Sequence, residues 1–143
     1  MVPITEENDD ARRDGTSIEV LYLSPVEPAE TPFGPWMVRE TVRTIGWLRD
    51  RLVPQPRLTV KAVVVLAFPQ AADVWHAAAA NALFQSLRGV VGSLTLERGP
   101  GLRLNMIVAD GFDDPDVRVT LNFLASDAAG FIAGSTFDLR EPS

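Results

Sequence analysis

The sequence predicts an α/β domain in which a mainly parallel sheet of about four strands lies between layers of helices. Short apolar runs rich in β-branched residues alternate with longer segments that repeat apolar residues every three or four positions. The runs are almost continuously apolar, which is typical of parallel strands covered on both faces. Strands that alternate with helices of this length are joined by right-handed crossovers, so the helices should form two outer layers.

The predicted order is β-α-β-α-β-α-β. Prolines at 25 and 54 end the first strand and the first helix, because proline lacks the backbone N–H that either element would use. Glycines after residue 98 end the second helix. The predicted segments are a strand over 18–23, a helix over 35–53, a strand over 58–68, a helix over 71–97, a strand over 102–108, a helix over 115–126 and a strand over 135–139. We expect strand 58–68, the most apolar, at the centre of the sheet.

The chain divides into a tail and one domain. Residues 1–16 are rich in acids and arginine and show no periodicity, which predicts a flexible acidic tail. Residues 17–143 are enough for a single domain with a well-developed core.

Composition narrows the classes of function. A net charge of -6 and a pI near 4.7 argue against nucleic-acid and anionic-membrane partners, which need a concentrated positive field. The absence of cysteine excludes disulfides, thiol nucleophiles and thiolate metal sites. No window approaches eighteen apolar residues, and no export signal is visible, so we expect a soluble, cytoplasmic protein. The chain has a single lysine, Lys61, a single tyrosine, Tyr22, and a single histidine, His76.

The first helix predicts an interface. An apolar stripe of Val38, Val42, Ile45 and Leu52 is expected to face the core. Trp36 and Trp47 are eleven residues apart, which places them on one face, opposite that stripe. With Glu40 and Arg43 nearby, they resemble aromatic anchors with a charged rim. The alternative is that a loop or the N-terminal tail covers the tryptophans.

The second helix predicts a matching surface. Its face away from the apolar stripe carries Gln85, Arg88, Gly89 and Gly92, which are polar or small and would let another helix approach closely. The two helices together therefore predict a surface for a partner subunit.

Acidic residues offer a second kind of site. Asp110, Asp113, Asp114 and Asp116 follow a strand end, where open α/β sheets bind ligands and where carboxylates could hold a hard cation. The alternative is an acidic turn in which Asp114 caps the helix beginning at Pro115. Asp73 and His76 form another acid–base candidate, with Asp73 alternatively a helix cap. The glycines do not form a phosphate-binding loop.

Two stretches resemble the short-chain dehydrogenase/reductase family: SLRGVVGSLTLERGPGLRLNMIVADGF and FLASDAAGFIAGSTFDL. The resemblance covers about residues 17–140 and implies a partial Rossmann-like fold equivalent to the family's C-terminal half. It places the family's first three strands, with their glycine-rich dinucleotide turn, before residue 1. It also implies that the two long helices pack against their counterparts in a partner subunit as a four-helix bundle.

The resemblance also implies lost catalysis. The family's catalytic serine, tyrosine and lysine positions fall near Ala67, on Ala80 and on Phe84, and all three are apolar here. Neither Tyr22 nor Lys61 lies on the helix concerned. We therefore expect no nicotinamide cofactor, no metal and no NAD(P)-dependent oxidoreductase activity.

The leading hypothesis is a catalytically inactive reductase-like protein that acts as an interaction subunit, either as a homodimer or beside a full-length relative. The alternative is a cofactor-independent isomerase, cyclase or hydrolase, or a small-molecule binder, that uses Asp110, Asp73 or His76 in a cleft at the strand ends.

Overall fold

The computed structural model describes residues 4–7, 18–23, 33–52, 60–68 and 74–140, and it confirms the predicted α/β class. Four parallel strands and three helices alternate in the predicted order and coincide with the predicted segments, and one further strand precedes them. The elements are β1 (Ile4–Glu7), β2 (Glu19–Leu23), α1 (Phe33–Leu52), β3 (Val60–Ala67), α2 (Val74–Arg98), β4 (Leu102–Ala109), α3 (Pro115–Ala125) and β5 (Thr136–Asp138).

The strands form one sheet in the order β1-β2-β3-β4-β5. Strands β2 to β5 are parallel, whereas β1 is antiparallel to β2. β3 and β4 pair along their full length, and almost all of their side chains are buried. The predicted central position of β3 is confirmed, because its long apolar run is covered on both faces.

Strand β1 lies inside the segment that we expected to have no regular structure, so that expectation is corrected at Ile4–Glu7. Ile4 lies opposite Tyr22 and Glu7 lies opposite Glu19, so β1 covers the outer edge of β2. Four residues are too few to show a strand period in the sequence, and backbone hydrogen bonds can hold such a segment without one.

Each face of the sheet has its own core, because alternate strand residues point to opposite faces. Helices α1 and α2 pack on one face, through Leu48 and Leu83 among others. Helix α3 packs on the other face, through Leu121 and Leu124. This is the predicted three-layer arrangement.

The position of α3 has a consequence for the crossovers. The strand order advances in one direction from β2 to β5, yet α3 lies on the face opposite α1 and α2. The β4–α3–β5 crossover therefore has the opposite hand to the other two, and the expectation that all are right-handed is wrong. The chain leaves β3 towards one face and β4 towards the other, and open α/β sheets commonly bind ligands at such a point, beside the carboxyl ends of the two strands.

The structure reverses the predicted orientation of α1. Trp47 and Leu48 are buried, whereas Val38, Val42 and Ile45 are 58%, 60% and 41% exposed. The predictions of Trp47 as a surface anchor and of the valine stripe as core are therefore wrong. Helix α1 has two apolar stripes, and periodicity alone cannot choose between them. Burying an indole and a leucine removes more apolar surface from water than burying the smaller valines. The side chains of Trp36 and Leu52 lie outside the described residues.

Glu40 was also predicted on the surface, and this is wrong: its side chain is 1% exposed. Its carboxylate lies 3.6 Å from Arg39 Nε and 3.4 Å from Arg43 Nη1, and both arginines are partly exposed. Neither carboxylate oxygen accepts a hydrogen bond within the part of the chain that the structure describes. The charge of Glu40 is therefore balanced by the two arginines that lie over it, while Arg43 is exposed as predicted.

Asn105 joins the core of β4 to the segment that precedes β5. The side chain is buried, its Nδ2 donates to the carbonyl oxygen of Ile132 over 3.1 Å, and its Oδ1 accepts from the backbone N–H of Ser135 over 3.0 Å. The backbone N–H of Gly134 donates to the carbonyl oxygen of Leu104 over 2.7 Å. One buried side chain thus fixes the path of the closing segment into β5.

Within the described ranges, no helix combines the length and the apolar character that crossing a membrane would require.

Candidate functional site

The outward sides of α1 and α2 form one surface, on the side of these helices away from the sheet. Both helices return from the carboxyl to the amino edge of a parallel sheet, so they lie side by side and point the same way. Thr41 Oγ1 of α1 lies 3.0 Å from Ser86 Oγ of α2. We call this surface the α1–α2 face and define it by Val38, Val42, Ile45, Gln85, Gly89, Gly92 and Leu96.

The α1 side of this face is a ridge of branched aliphatic side chains. Val38, Val42 and Ile45 are spaced four and three residues apart, so they form one stripe along the helix. At 100° per residue this stripe is nearly opposite Trp47 and roughly 90° from Leu48, so it points away from the sheet. Single exposed aliphatic residues are common, but a continuous exposed stripe indicates a binding surface.

The α2 side of the face protrudes less than the α1 ridge at its two glycines. Gln85, Gly89, Gly92 and Leu96 follow at intervals of four, three and four residues, and Leu96 is 87% exposed. A Cβ atom added to Gly89 or Gly92 would meet nothing within 4 Å, so packing inside this chain does not require glycine at either position. Glycine inside a helix costs about 1 kcal/mol relative to alanine. These glycines leave room for the backbone of another helix, and the neighbouring Arg88 is exposed.

The face is large enough for a specific contact. Two helices of this length, about 10 Å apart, present roughly 30 Å by 20 Å of surface. Two copies would bury on the order of 1,200 Å² in total, which is at the lower end of the range for specific interfaces. The structure therefore places the predicted residues Gln85, Arg88, Gly89 and Gly92 at or beside this face, but aliphatic residues of α1 take the place predicted for Trp47.

Arg140 occupies the second candidate region, the carboxyl edge of the sheet. Its Nε and Nη2 donate to the two carboxylate oxygens of Asp138, over 2.9 and 2.7 Å. Its guanidinium carbon lies 4.6 Å from the ring centroid of Phe68 and 5.4 Å from that of Phe84. Phe68 follows β3 and Arg140 follows β5, so this side chain lies across the carboxyl end of β4.

Sequence reasoning missed Arg140 because its contacts come from a strand and a helix far away along the chain. No local pattern links Phe68, Phe84 and Arg140. Leu96 was also missed, although the four-three-four spacing that continues from Gln85 could have identified it.

The ion pair between Asp138 and Arg140 predicts that the stability of the fold depends on pH. The hydrogen bond from the Arg140 side chain lowers the pKa of Asp138, and Asp138 in turn raises the pKa of Arg140. A carboxyl group whose pKa is lower in the folded state stabilises the fold above its unfolded pKa, and this contribution is lost as the pH falls through the folded pKa.

We expect Asp138→Asn to lower the free energy of unfolding at neutral pH by about 0.5–1 kcal/mol, since the pair is partly exposed and solvent screens it. The difference in free energy of unfolding between the variant and the unmodified chain should shrink as the pH falls below about 4, which is the pKa of aspartate in an unfolded chain. Thermal melts of both proteins at a series of pH values would measure this. A difference that is unchanged at the lowest pH would show that the ion pair does not cause it.

The acidic turn after β4 forms the predicted helix cap. Asp114 Oδ1 accepts a hydrogen bond from the backbone N–H of Asp116 over 2.9 Å, and Pro115 is the first residue of α3. Among the residues that the structure describes, no three acidic or histidine side chains form a group that could hold a metal ion. Asp110 is exposed at the end of β4. Asp73 and the side chain of His76 lie outside the described residues.

The three positions that the resemblance assigns to catalysis are buried. Ala67, Ala80 and Phe84 contribute to the core, and Phe84 contacts Phe68 edge to face at a centroid distance of 6.1 Å. These positions therefore offer apolar packing in place of a hydroxyl or an amine.

The only lysine and the only tyrosine lie on the α3 side of the sheet, away from Ala80 and Phe84. Lys61 Nζ donates to the carbonyl oxygens of Ala125 and Ser126 over 3.0 and 3.3 Å, at the end of α3. A cation is favourable at a helix C-terminus, so Lys61 caps this helix. The Tyr22 ring packs edge-on against Phe112. No rotation of either side chain could reach the α2 side of the sheet.

Comparison with known proteins finds no family model that matches this chain and no curated protein similar to it. The resemblance to the reductase family therefore stays a prediction from two sequence stretches, and function has to be inferred from the α1–α2 face and the carboxyl edge.

Proposed function

We propose that this protein is a noncatalytic interaction subunit that forms a homodimer through its α1–α2 face. The observation that carries the proposal is the exposed stripe of Val38, Val42 and Ile45, which lies opposite the buried side of α1 and beside the glycines of α2. A soluble subunit gains stability by covering such a stripe, because apolar surface is then removed from water.

A second copy of the chain fits this face for two reasons. The seven defining residues carry no charge, so no like charges meet at the centre of a contact between two copies. The exposed Arg49 continues the α1 stripe beyond Ile45 and would lie at the rim. The face also combines the aliphatic ridge on α1 with the low stretch at Gly89 and Gly92 on α2, which we call the glycine track. A two-fold axis parallel to the helices would place the ridge of each copy on the glycine track of the other, which makes the surface self-complementary.

The carboxyl edge supports a noncatalytic role. The positions Ala67, Ala80 and Phe84 are apolar and buried, and the Arg140 guanidinium lies over the Phe68 ring, across the carboxyl end of β4. At the amino end of β3, Lys61 caps α3. The alternative hypothesis of an acid–base site at Asp110 has no comparable support. The reductase resemblance, itself a prediction, implies the same pair of helices at a subunit interface.

Val42→Glu should prevent dimer formation. It would place an unpaired carboxylate from each copy in the apolar centre of the contact, which should raise the dissociation constant by about a hundredfold or more. Sedimentation equilibrium would measure this constant. The matched control is Val119→Glu on α3, which replaces a similarly exposed valine on the other side of the molecule and should leave association unchanged.

Gly89→Leu separates an effect on association from an effect on folding. A side chain at this position has free space within the monomer and suits a helix better than glycine, so the free energy of unfolding of the monomer should not fall. The same side chain would fill the track that receives the partner's ridge and should weaken the dimer. If Val42→Glu and Gly89→Leu both associate like the unmodified chain, the proposed interface is wrong.

A further inference from the structure

We infer that the outer edge of β2 is a binding surface for an extended strand, and that two copies of this chain exchange their β1 segments across it. The inference goes beyond the proposed function, since it uses the sheet edge and none of the residues of the α1–α2 face.

The edge of β2 needs a partner strand. Val20, Leu21 and Leu23 are each 1% exposed, so β2 belongs to the core and cannot move to the surface. It pairs with β3 on one side, and on the other side the structure places Ile4–Glu7 against it. An apolar strand with an open edge would present unpaired backbone groups to other chains, so whatever covers this edge determines its partners.

A long stretch of sequence separates β1 from β2. Residues 8–18, eleven in number, separate the end of β1 from the start of β2. Neighbouring antiparallel strands are commonly joined by two to five residues, so this connection is much longer than a hairpin needs. An extended connection of this length can span about 35 Å, which is enough to reach the β2 edge of an adjacent copy.

Exchange requires no new contacts. The register pairs Ile4 with Tyr22, Thr5 with Leu21, Glu6 with Val20 and Glu7 with Glu19, and each pair forms equally well between two copies. Because the residue pairs are the same in both states, protein concentration decides whether β1 pairs with β2 of its own chain or with β2 of another copy. A strand linked through about eleven residues has an effective concentration on the order of millimolar at its own sheet edge, so exchange should increase as the protein approaches that range.

Engineered cysteines can test this directly, because the chain has none of its own. Glu7→Cys and Glu19→Cys would introduce thiols at register partners, whose Cβ atoms lie about 5 Å apart in an antiparallel pair and can form a disulfide with small adjustments. The two single variants are purified as full chains, one with a tag that changes its mass, then mixed, oxidised and separated on a nonreducing gel.

We expect a covalent heterodimer from the mixture, at an amount that rises with protein concentration. The control mixture of Glu7→Cys with Glu97→Cys, an exposed position at the end of α2, should give several-fold less. A yield no higher than this control would overturn the inference, whether the double variant Glu7→Cys/Glu19→Cys then closes a disulfide within one chain or forms none. Repeating the mixture in a Val42→Glu background keeps the two proposals apart, since exchange should persist there when the helix contact is lost.

Discussion

Replacing Trp47 with alanine is expected to destabilise the fold by about 3–5 kcal/mol, because a buried aromatic side chain leaves a cavity when it is removed. For a domain of this size the melting temperature should fall by about 10 °C or more. Association of the folded protein should change little, since Trp47 lies on the side of α1 that faces the sheet.

The control for this prediction is Val38→Ala. Val38 is largely exposed, so its truncation should change the free energy of unfolding by about 0.5 kcal/mol or less when measured on dilute monomer. Urea denaturation of both variants would measure the two values. If Val38→Ala destabilised the monomer more than Trp47→Ala, the orientation of α1 described above would be incorrect.

The second large effect is expected at Asn105. Asn105→Leu keeps the branching at Cγ but leaves the carbonyl oxygen of Ile132 and the N–H of Ser135 without their partner, which should cost about 2–3 kcal/mol. The larger leucine side chain in this buried position should add to that cost. The control is Asn122→Leu, an exposed position on α3 that should have little effect on stability.

A local measurement distinguishes this mechanism from general destabilisation. Hydrogen exchange at the amide of Ser135 should accelerate more in Asn105→Leu than exchange at core amides of β4, because the closing segment would open before the sheet does. Uniform acceleration across β4 and the closing segment would show that Asn105 does not act through these two hydrogen bonds.

The order of the seven predicted elements could be read from the sequence because each of them carries its own local signal. The continuous apolar run of β3, the prolines around α1 and the glycines after α2 all act within a few residues. Strand β1 has no such signal, since four residues can be held by backbone hydrogen bonds alone. The hand of the last crossover depends on which face of the sheet α3 covers, and the local periodicity of α3 does not specify that face.

The candidate site was only partly predictable. The outward side of α2 followed from its periodicity, because a single apolar stripe indicates which face is buried. Helix α1 has two candidate stripes, and the choice between Trp47 and Val42 depends on the whole core. Glu40 was misplaced for the same reason, as its burial depends on Arg39 and Arg43 covering it. The contacts of Arg140 and Asn105 join distant segments, so no local pattern could reveal them.

The most direct test of the α1–α2 face as a dimer interface is the molar mass of the unmodified chain in solution, measured by light scattering from dilute to concentrated samples. We expect the mass to rise from 15.6 kDa to twice that value at concentrations well below the millimolar range in which strand exchange is expected. A mass that stays at 15.6 kDa throughout this range would contradict the proposal, because no second copy would then cover the stripe of Val38, Val42 and Ile45.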